Sequence, residues 1–141
     1  MTKQSDKSGW EFAEKVTNGD ILAAHWVRQA CKRALDDRDN AKERGYYYDA
    51  DAANRVIKFF SFLKHLKGAL AGQPFELADW QIFIVSQLYG WKRTSDNLRR
   101  FRTCYIEVPR KSGKSTLCSG CLLYTSPSPR DQRGSRMPSS A

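Results

Sequence analysis

Long apolar runs are missing from this chain. No stretch approaches the roughly 20 consecutive apolar residues that a membrane-spanning helix requires, which excludes a spanning helix. Residues 1–9 are polar and lack the apolar stretch of a secretory signal, so a cytosolic setting is the expectation. Histidine is scarce: His25 and His65 both fall within amphipathic patterns and read as structural or surface residues. The four cysteines are Cys31, Cys104, Cys118 and Cys121. Cys118 and Cys121 form a CxxC, but no second pair or nearby histidine completes the four ligands of a structural zinc site. Acid is also short, with 15 Asp and Glu against 24 Lys and Arg.

The resulting net charge of +9 suits a polyanionic partner, nucleic acid first. The charge is concentrated. Eight cations (Lys92, Arg93, Arg99, Arg100, Arg102, Arg110, Lys111, Lys114) lie between residues 92 and 116, opposed within that stretch by Asp96 and Glu107. Three readings stay open: a solvated basic loop, phosphate binding and DNA contact. A length of 141 residues allows one domain with a moderate core.

Apolar periodicity predicts three helices. The first spans 20–43, capped by Asp20, with Ile21, Ala24, Val27, Ala30 or Cys31, and Ala34 or Leu35 on one stripe, and Gly45 as its stop. The second spans 51–70, with Asp49 or Asp51 as cap, a stripe of Ala52, Val56, Phe59 or Phe60, Leu63, Leu66 and Leu70, and an end at Gly72 and Pro74. The third spans 77–89 and is apolar on most sides, so it should be buried, with Gly90 as a left-handed stop. Residues 92–101 read as a basic connector. Residues 103–108 then favour a short strand through Tyr105, Ile106 and Val108, ended by Pro109, and residues 113 to about 123 look helical. Residues 1–18 are expected to be disordered, and residues 19–120 form the organised body.

The tail changes character. From Thr125 onward the chain holds three prolines, five serines, three arginines and one large apolar residue, Met137, a composition that predicts disorder. Its strings, Cys121 to Asp131 and Ser135 to Ala141, resemble translated sequencing-adapter read-through. Residues 121–141 are therefore expected to be disordered and artefactual, and stay outside fold reasoning.

The chemistry is carried by Val108-Pro109-Arg110-Lys111-Ser112-Gly113-Lys114-Ser115-Thr116. Gly-Lys-Ser-Thr is the core of a phosphate loop, placed between a predicted strand and a predicted helix as that motif requires. Glycine lets the backbone approach phosphate oxygens. The N–H groups from Ser112 to Thr116 can form an anion nest at a helix start. Lys114 can reach the β- and γ-phosphates, and the Ser115 hydroxyl can hold Mg²⁺. The glycine that usually opens the motif is replaced by Val108. Arg110 and Lys111 add charge beside the nucleotide. The fold class that follows is an incomplete α/β phosphate-loop NTPase, in which this chain is mostly helical with one short strand before the loop.

Residues 19 to about 118 resemble the large terminase subunits of tailed bacteriophages. The resemblance rests on Gly19-Asp20-Ile21, Ala30-Cys31-Lys32-Arg33, Tyr48-Asp49, residues 52–60, His65-Leu66-Lys67-Gly68 and Ala71-Gly72. It continues through Phe75-Glu76-Leu77, Trp80-Gln81-Ile82-Phe83-Ile84, Leu88-Tyr89-Gly90-Trp91, Arg99-Arg100-Phe101-Arg102 and residues 105–116. That family's loop often lacks the first glycine and carries basic residues. The resemblance implies an ATPase motor that moves double-stranded DNA through a portal protein into a capsid shell, as a ring homo-oligomer, with a small terminase subunit as partner and no membrane. It implies ATP and Mg²⁺ as cofactors, with Ser112, Gly113, Lys114, Ser115, Thr116 and Lys111 around the phosphates and Mg²⁺ on Ser115. Arg110 is a candidate γ-phosphate contact. Gln81 resembles a glutamine that contacts adenine, against the alternative of a helix-surface glutamine beside a buried Trp80. Tyr89 and Trp91 read as core. No strand ending in an acidic pair follows the loop, and no nuclease carboxylates are present. The parent is thus expected to be an enzyme and this chain an inactive piece, in the cytoplasm of an infected bacterial host and outside the mature virion. A helicase-type phosphate-loop ATPase and a non-enzymatic basic DNA-binding module remain the alternatives.

Overall fold

A computed structural model describes residues 9–63, 76–110 and 113–125. It divides the chain into one unit of residues 1–106 and another of residues 107–141. The first unit contains helices α1 (Gly9–Asn18), α2 (His25–Asn40), α3 (Ala50–Ser61) and α4 (Asp79–Gly90) and a two-stranded ribbon of β1 (Tyr46–Tyr48) and β2 (Trp91–Arg93), whose second strand packs on α4. The second unit contains α5 (Lys114–Thr125).

The expected disorder over residues 1–18 fails from Gly9 onward. Helix α1 buries Ala13 and Val16 completely and packs on both α2 and α4. Its own sequence is too short to hold a helix in water; tertiary burial stabilises it. Ala13, Val16, Cys31, Ala34 and Phe83 form one apolar cluster, closed over by Trp10, Phe12 and Ile21. Residues 1–8 lie outside the described residues.

Helix α2 is shorter than its pattern. It begins after Ala24, which offers no side-chain cap, so Asp20 does not cap it. Its C-terminal half is buried through Cys31, Ala34 and Asp37, but Ala24 and Val27 at its start are exposed. Burial pushes the Cys31 thiol up to about 11.

Helix α3 begins where expected. The Asp49 carboxylate accepts the Ala52 N–H at 3.0 Å, satisfying a first-turn donor the helix cannot. Ala52, Ala53, Val56, Ile57 and Phe60 line its buried face. Val56, Ile57 and Phe60 each remove a whole side chain from water, at about 2 kcal/mol apiece. The helix stops at Ser61, with Phe62 exposed beyond it. The expected continuation through Leu66 and Leu70 to Gly72 and Pro74 lies outside the described residues, as does His65.

Helix α4 is the buried centre that its apolar sequence demands. It packs against α1 and α3 and buries Ile82, Phe83, Val85 and Tyr89. Gly90 does not act as a left-handed stop: positive φ among the described glycines occurs at Gly19, Gly45 and Gly113. Gly90 is needed for clearance, because a Cβ there would overlap the Tyr48 ring.

The antiparallel ribbon pairs Tyr46 with Arg93, Tyr47 with Lys92 and Tyr48 with Trp91. Trp91 is fully buried. Its ring lies edge-on to Tyr48 at 5.5 Å and to Trp10 at 6.1 Å, and its indole N–H donates to Gln87 Oε1 at 2.8 Å. The ribbon is the sheet found among the described residues. The strand expected over residues 103–108 does not form. That segment has the side chains of a strand, but extended backbone becomes a strand only beside a second one.

Candidate phosphate-binding loop and its surroundings

The loop residues that are described come together on the first turn of α5. Gly113 adopts φ +78°, a left-handed conformation that glycine enters without the steric penalty of a Cβ. Its carbonyl accepts the Leu117 N–H at 3.0 Å, the first bond of the helix. The amides of Lys114, Ser115 and Thr116 precede that bond, so they are the donors a helix cannot satisfy internally. All three residues are exposed, and Leu117 is the buried anchor behind them. No carboxylate occupies the first turn. Open N–H groups, the positive end of the helix dipole and an adjacent ammonium make this a fitting seat for an anion. The exposed Ser115 hydroxyl is an oxygen donor of the kind Mg²⁺ takes. Arg110, near the start of the loop, is exposed. Lys111 and Ser112 lie outside the described residues.

Gln81 belongs to the first unit, and its position corrects the idea of a helix-surface glutamine. It is 5% exposed, whereas its neighbour Trp80 is only half-buried. The Gln81 Oε1 accepts the Ala78 N–H at 2.8 Å. Gln81 sits three residues after the N-cap Ala78, so it reaches back as the glutamine half of a capping box does. Tyr89 and Trp91 are core residues.

Structure assigns internal work to most of the cations at 92–100. Lys92 Nζ lies 2.7 Å from Asp49 Oδ2 and Arg93 lies 2.5 Å from Asp96. Lys92, followed by the Ala52 amide, holds the Asp49 carboxyl below the usual range. Arg99 stacks on Tyr89 at 4.8 Å. Arg100 stacks on Tyr46 at 4.1 Å and on Phe101 at 4.8 Å. It also faces the buried Asp37 at 3.1 Å, and Arg44 reaches the same carboxylate at 2.6 Å. The sequence count of opposing acids missed Asp37 and Asp49, because both are remote in the chain and are brought in by α2 and by the start of α3. Cys118 and Cys121 lie on α5, the first exposed and the second half-buried, and neither forms a disulfide.

The family model for the terminase large subunit, ATPase domain, matches residues 79–127. Over those residues the chain is similar to the terminase large-subunit ATPase domain, which supports a fragment of a terminase large subunit. The terminase match takes in α4, β2, the basic connector, the phosphate loop and α5. It runs beyond Cys121, and residues 121–125 are the last turn of α5, so the expectation of a disordered tail from 121 fails for them. Residues 126–141 lie outside the described residues. A terminase ATPase domain implies a phosphate-loop NTPase fold that uses nucleotide and Mg²⁺, and a mostly helical chain with one small sheet is consistent with a fragment of one. No curated protein and no solved structure matches the chain. Among the described residues, no helix is long and apolar enough to cross a membrane.

Proposed function

We propose that this chain is the N-terminal part of a viral DNA-packaging motor, whose phosphate loop binds Mg–ATP to drive double-stranded DNA into a capsid shell. The observation that supports it most is the loop geometry inside the terminase-matched stretch: a left-handed Gly113 opening α5, with Lys114, Ser115 and Thr116 exposed on its first turn. In this reading Lys114 neutralises the β- and γ-phosphates, Ser115 holds Mg²⁺, and the amides of residues 112–116 cradle the phosphates. Lys111 adds charge, and Arg110 contacts the γ-phosphate. Bound Mg²⁺ would supply charge neutralisation across the phosphates. A ring of identical subunits, a portal protein and a small terminase subunit complete the proposed setting, in the cytoplasm of an infected bacterium.

The test is binding of a fluorescent ATP analogue to the full chain with and without Mg²⁺. The expected result is Mg²⁺-dependent binding that Lys114→Ala weakens at least tenfold, with unchanged circular dichroism. Salt-sensitive DNA binding with no nucleotide binding would instead establish a basic DNA-binding module. The internal pairing of Lys92, Arg93 and Arg100 argues against that outcome.

A further inference from the structure

Helix α1 ends on a dipeptide with chemistry of its own. Its last residue is Asn18 and the next is Gly19, and both are exposed. Gly19 adopts φ +86°, the left-handed conformation that closes many helices and that glycine enters without a Cβ penalty. A Cβ built on Gly19 would meet nothing within 4 Å, so the backbone there has room to turn. Backbone hydrogen bonds hold this end of the helix. The Gly19 N–H donates to the Val16 carbonyl at 3.2 Å, and the amides of Asp20 and Ile21 donate to the Lys15 carbonyl at 2.9 and 3.2 Å. Among the described residues no hydrogen bond holds the Asn18 carboxamide.

The other asparagines are placed differently. The Asn40 carboxamide donates to the Asp36 carbonyl at 2.9 Å and to its carboxylate at 3.0 Å. Asn54 lies inside α3, where the following amide belongs to the helix ladder. Asn97 accepts from the Tyr47 hydroxyl at 3.0 Å, and the amide after it, that of Leu98, donates to Asp96 at 3.0 Å. These three are followed by Ala41, Arg55 and Leu98, whose side chains crowd the approach of a backbone nitrogen to the carboxamide. Asn18 combines an exposed carboxamide, a glycine after it and open space around that glycine.

We propose that Asn18-Gly19 is a site of spontaneous covalent modification, where Asn18 is converted to aspartate and isoaspartate. The Gly19 nitrogen releases Val16, gives up its proton and attacks Asn18 Cγ. A Cγ–N bond forms, the Cγ–Nδ2 bond breaks, and Nδ2 leaves as ammonia carrying the released proton. The product is a cyclic succinimide, which water opens. Attack at Cγ restores the normal chain with a side-chain carboxylate. Attack at the backbone carbonyl carbon leaves isoaspartate, with the chain running through Cβ and Cγ. Either product disturbs the end of α1. A carboxylate there faces the negative end of the helix dipole. Isoaspartate also lengthens the backbone by a methylene, which shifts Gly19, Asp20 and Ile21 against their acceptors. Ile21 packs on the cluster of Ala13, Val16 and Cys31, so the disturbance reaches the core. The site is independent of the phosphate loop and of the proposed ATPase reading.

The test incubates the full chain at pH 8.5 and 37 °C and follows the tryptic peptide of residues 16–28 by mass spectrometry, with electron-transfer fragmentation to separate aspartate from isoaspartate. A fresh aliquot digested in parallel subtracts conversion during handling. Asn18 is expected to convert at least tenfold faster than Asn40, Asn54 or Asn97, with isoaspartate in excess of aspartate. The rate should rise from pH 6 to pH 9, because the attacking nitrogen must lose its proton. Asn18→Gln should remove the signal with unchanged circular dichroism, and the isoaspartate-rich fraction should unfold at a lower temperature than fresh protein. Four results would overturn the assignment. They are an intact Asn18 in the folded chain while the same chain in guanidinium chloride converts, faster conversion of another asparagine, aspartate formed without isoaspartate, and an isoaspartate-rich fraction with an unchanged Tm.

Discussion

Removing the buried carboxylate of α2 should cost this protein much of its stability. Asp37 is 3% exposed and is approached by Arg44 at 2.6 Å and by Arg100 at 3.1 Å. Asp37→Ala would leave Arg100, which is 19% exposed, stacked among Tyr46, Trp91 and Phe101 without its counter-charge. Severing a buried pair typically costs roughly 3–5 kcal/mol, mostly as the penalty of a stranded charge. Arg44 is 41% exposed, so water can take over its share, and the lower end, about 3 kcal/mol, is expected. A small domain shifts its Tm by roughly 4–8 °C per kcal/mol, so a fall on the order of 12–24 °C follows. Urea and thermal unfolding followed at 222 nm measure it. Asp37→Ala combined with Arg100→Met should cost at least about 1 kcal/mol less than the sum of the single variants, because the stranded charge is gone. If the two changes add to within about 0.5 kcal/mol, or if Asp37→Ala costs under about 1 kcal/mol, the cluster does not hold the connector as argued.

Asp49 titrates below its ordinary value because Lys92 and the Ala52 amide favour its charged form. Its contribution is therefore complete above the unfolded value of about 4 and is lost as pH falls through the lower folded value. The stability gap between the protein and Asp49→Asn should be widest above pH 5 and should narrow steadily towards pH 2, as urea titrations at several pH values would reveal. Gly90→Ala should destabilise by about 1–3 kcal/mol, because the added methyl meets the Tyr48 ring; a smaller penalty in a Tyr48→Ala background would locate the clash, and an equal one would refute it. A thiol-reactive chromophore at pH 8 should label the exposed Cys104 and Cys118 quickly. Cys31 should react only after denaturant is added, since it is fully buried and its thiol is pushed up to about 11.

Where the chain makes local structure, the sequence was a sufficient guide. Asp49 announced the start of α3 through a capping bond to a residue three positions away. The near-continuous apolar residues of α4 announced a helix packed on two sides. Gly113 and Lys114 announced a turn opening a helix, since a left-handed backbone and unsatisfied first-turn amides are properties of a few neighbouring residues. What only the tertiary structure decided was long-range. Pairing Tyr46–Tyr48 with Trp91–Arg93 joins strands some 45 residues apart, and three-residue strands carry no periodicity to detect. Helix α1 exists because α2 and α4 cover it. The residues over 103–108 have strand-forming side chains but no strand beside them. The meaning of the basic stretch changed most: Lys92 and Arg100 look like polyanion ligands in sequence, yet Asp49 and Asp37 meet them in space. A residue's type fixes what it can bind, but the fold determines whether its partner lies within the molecule or outside it.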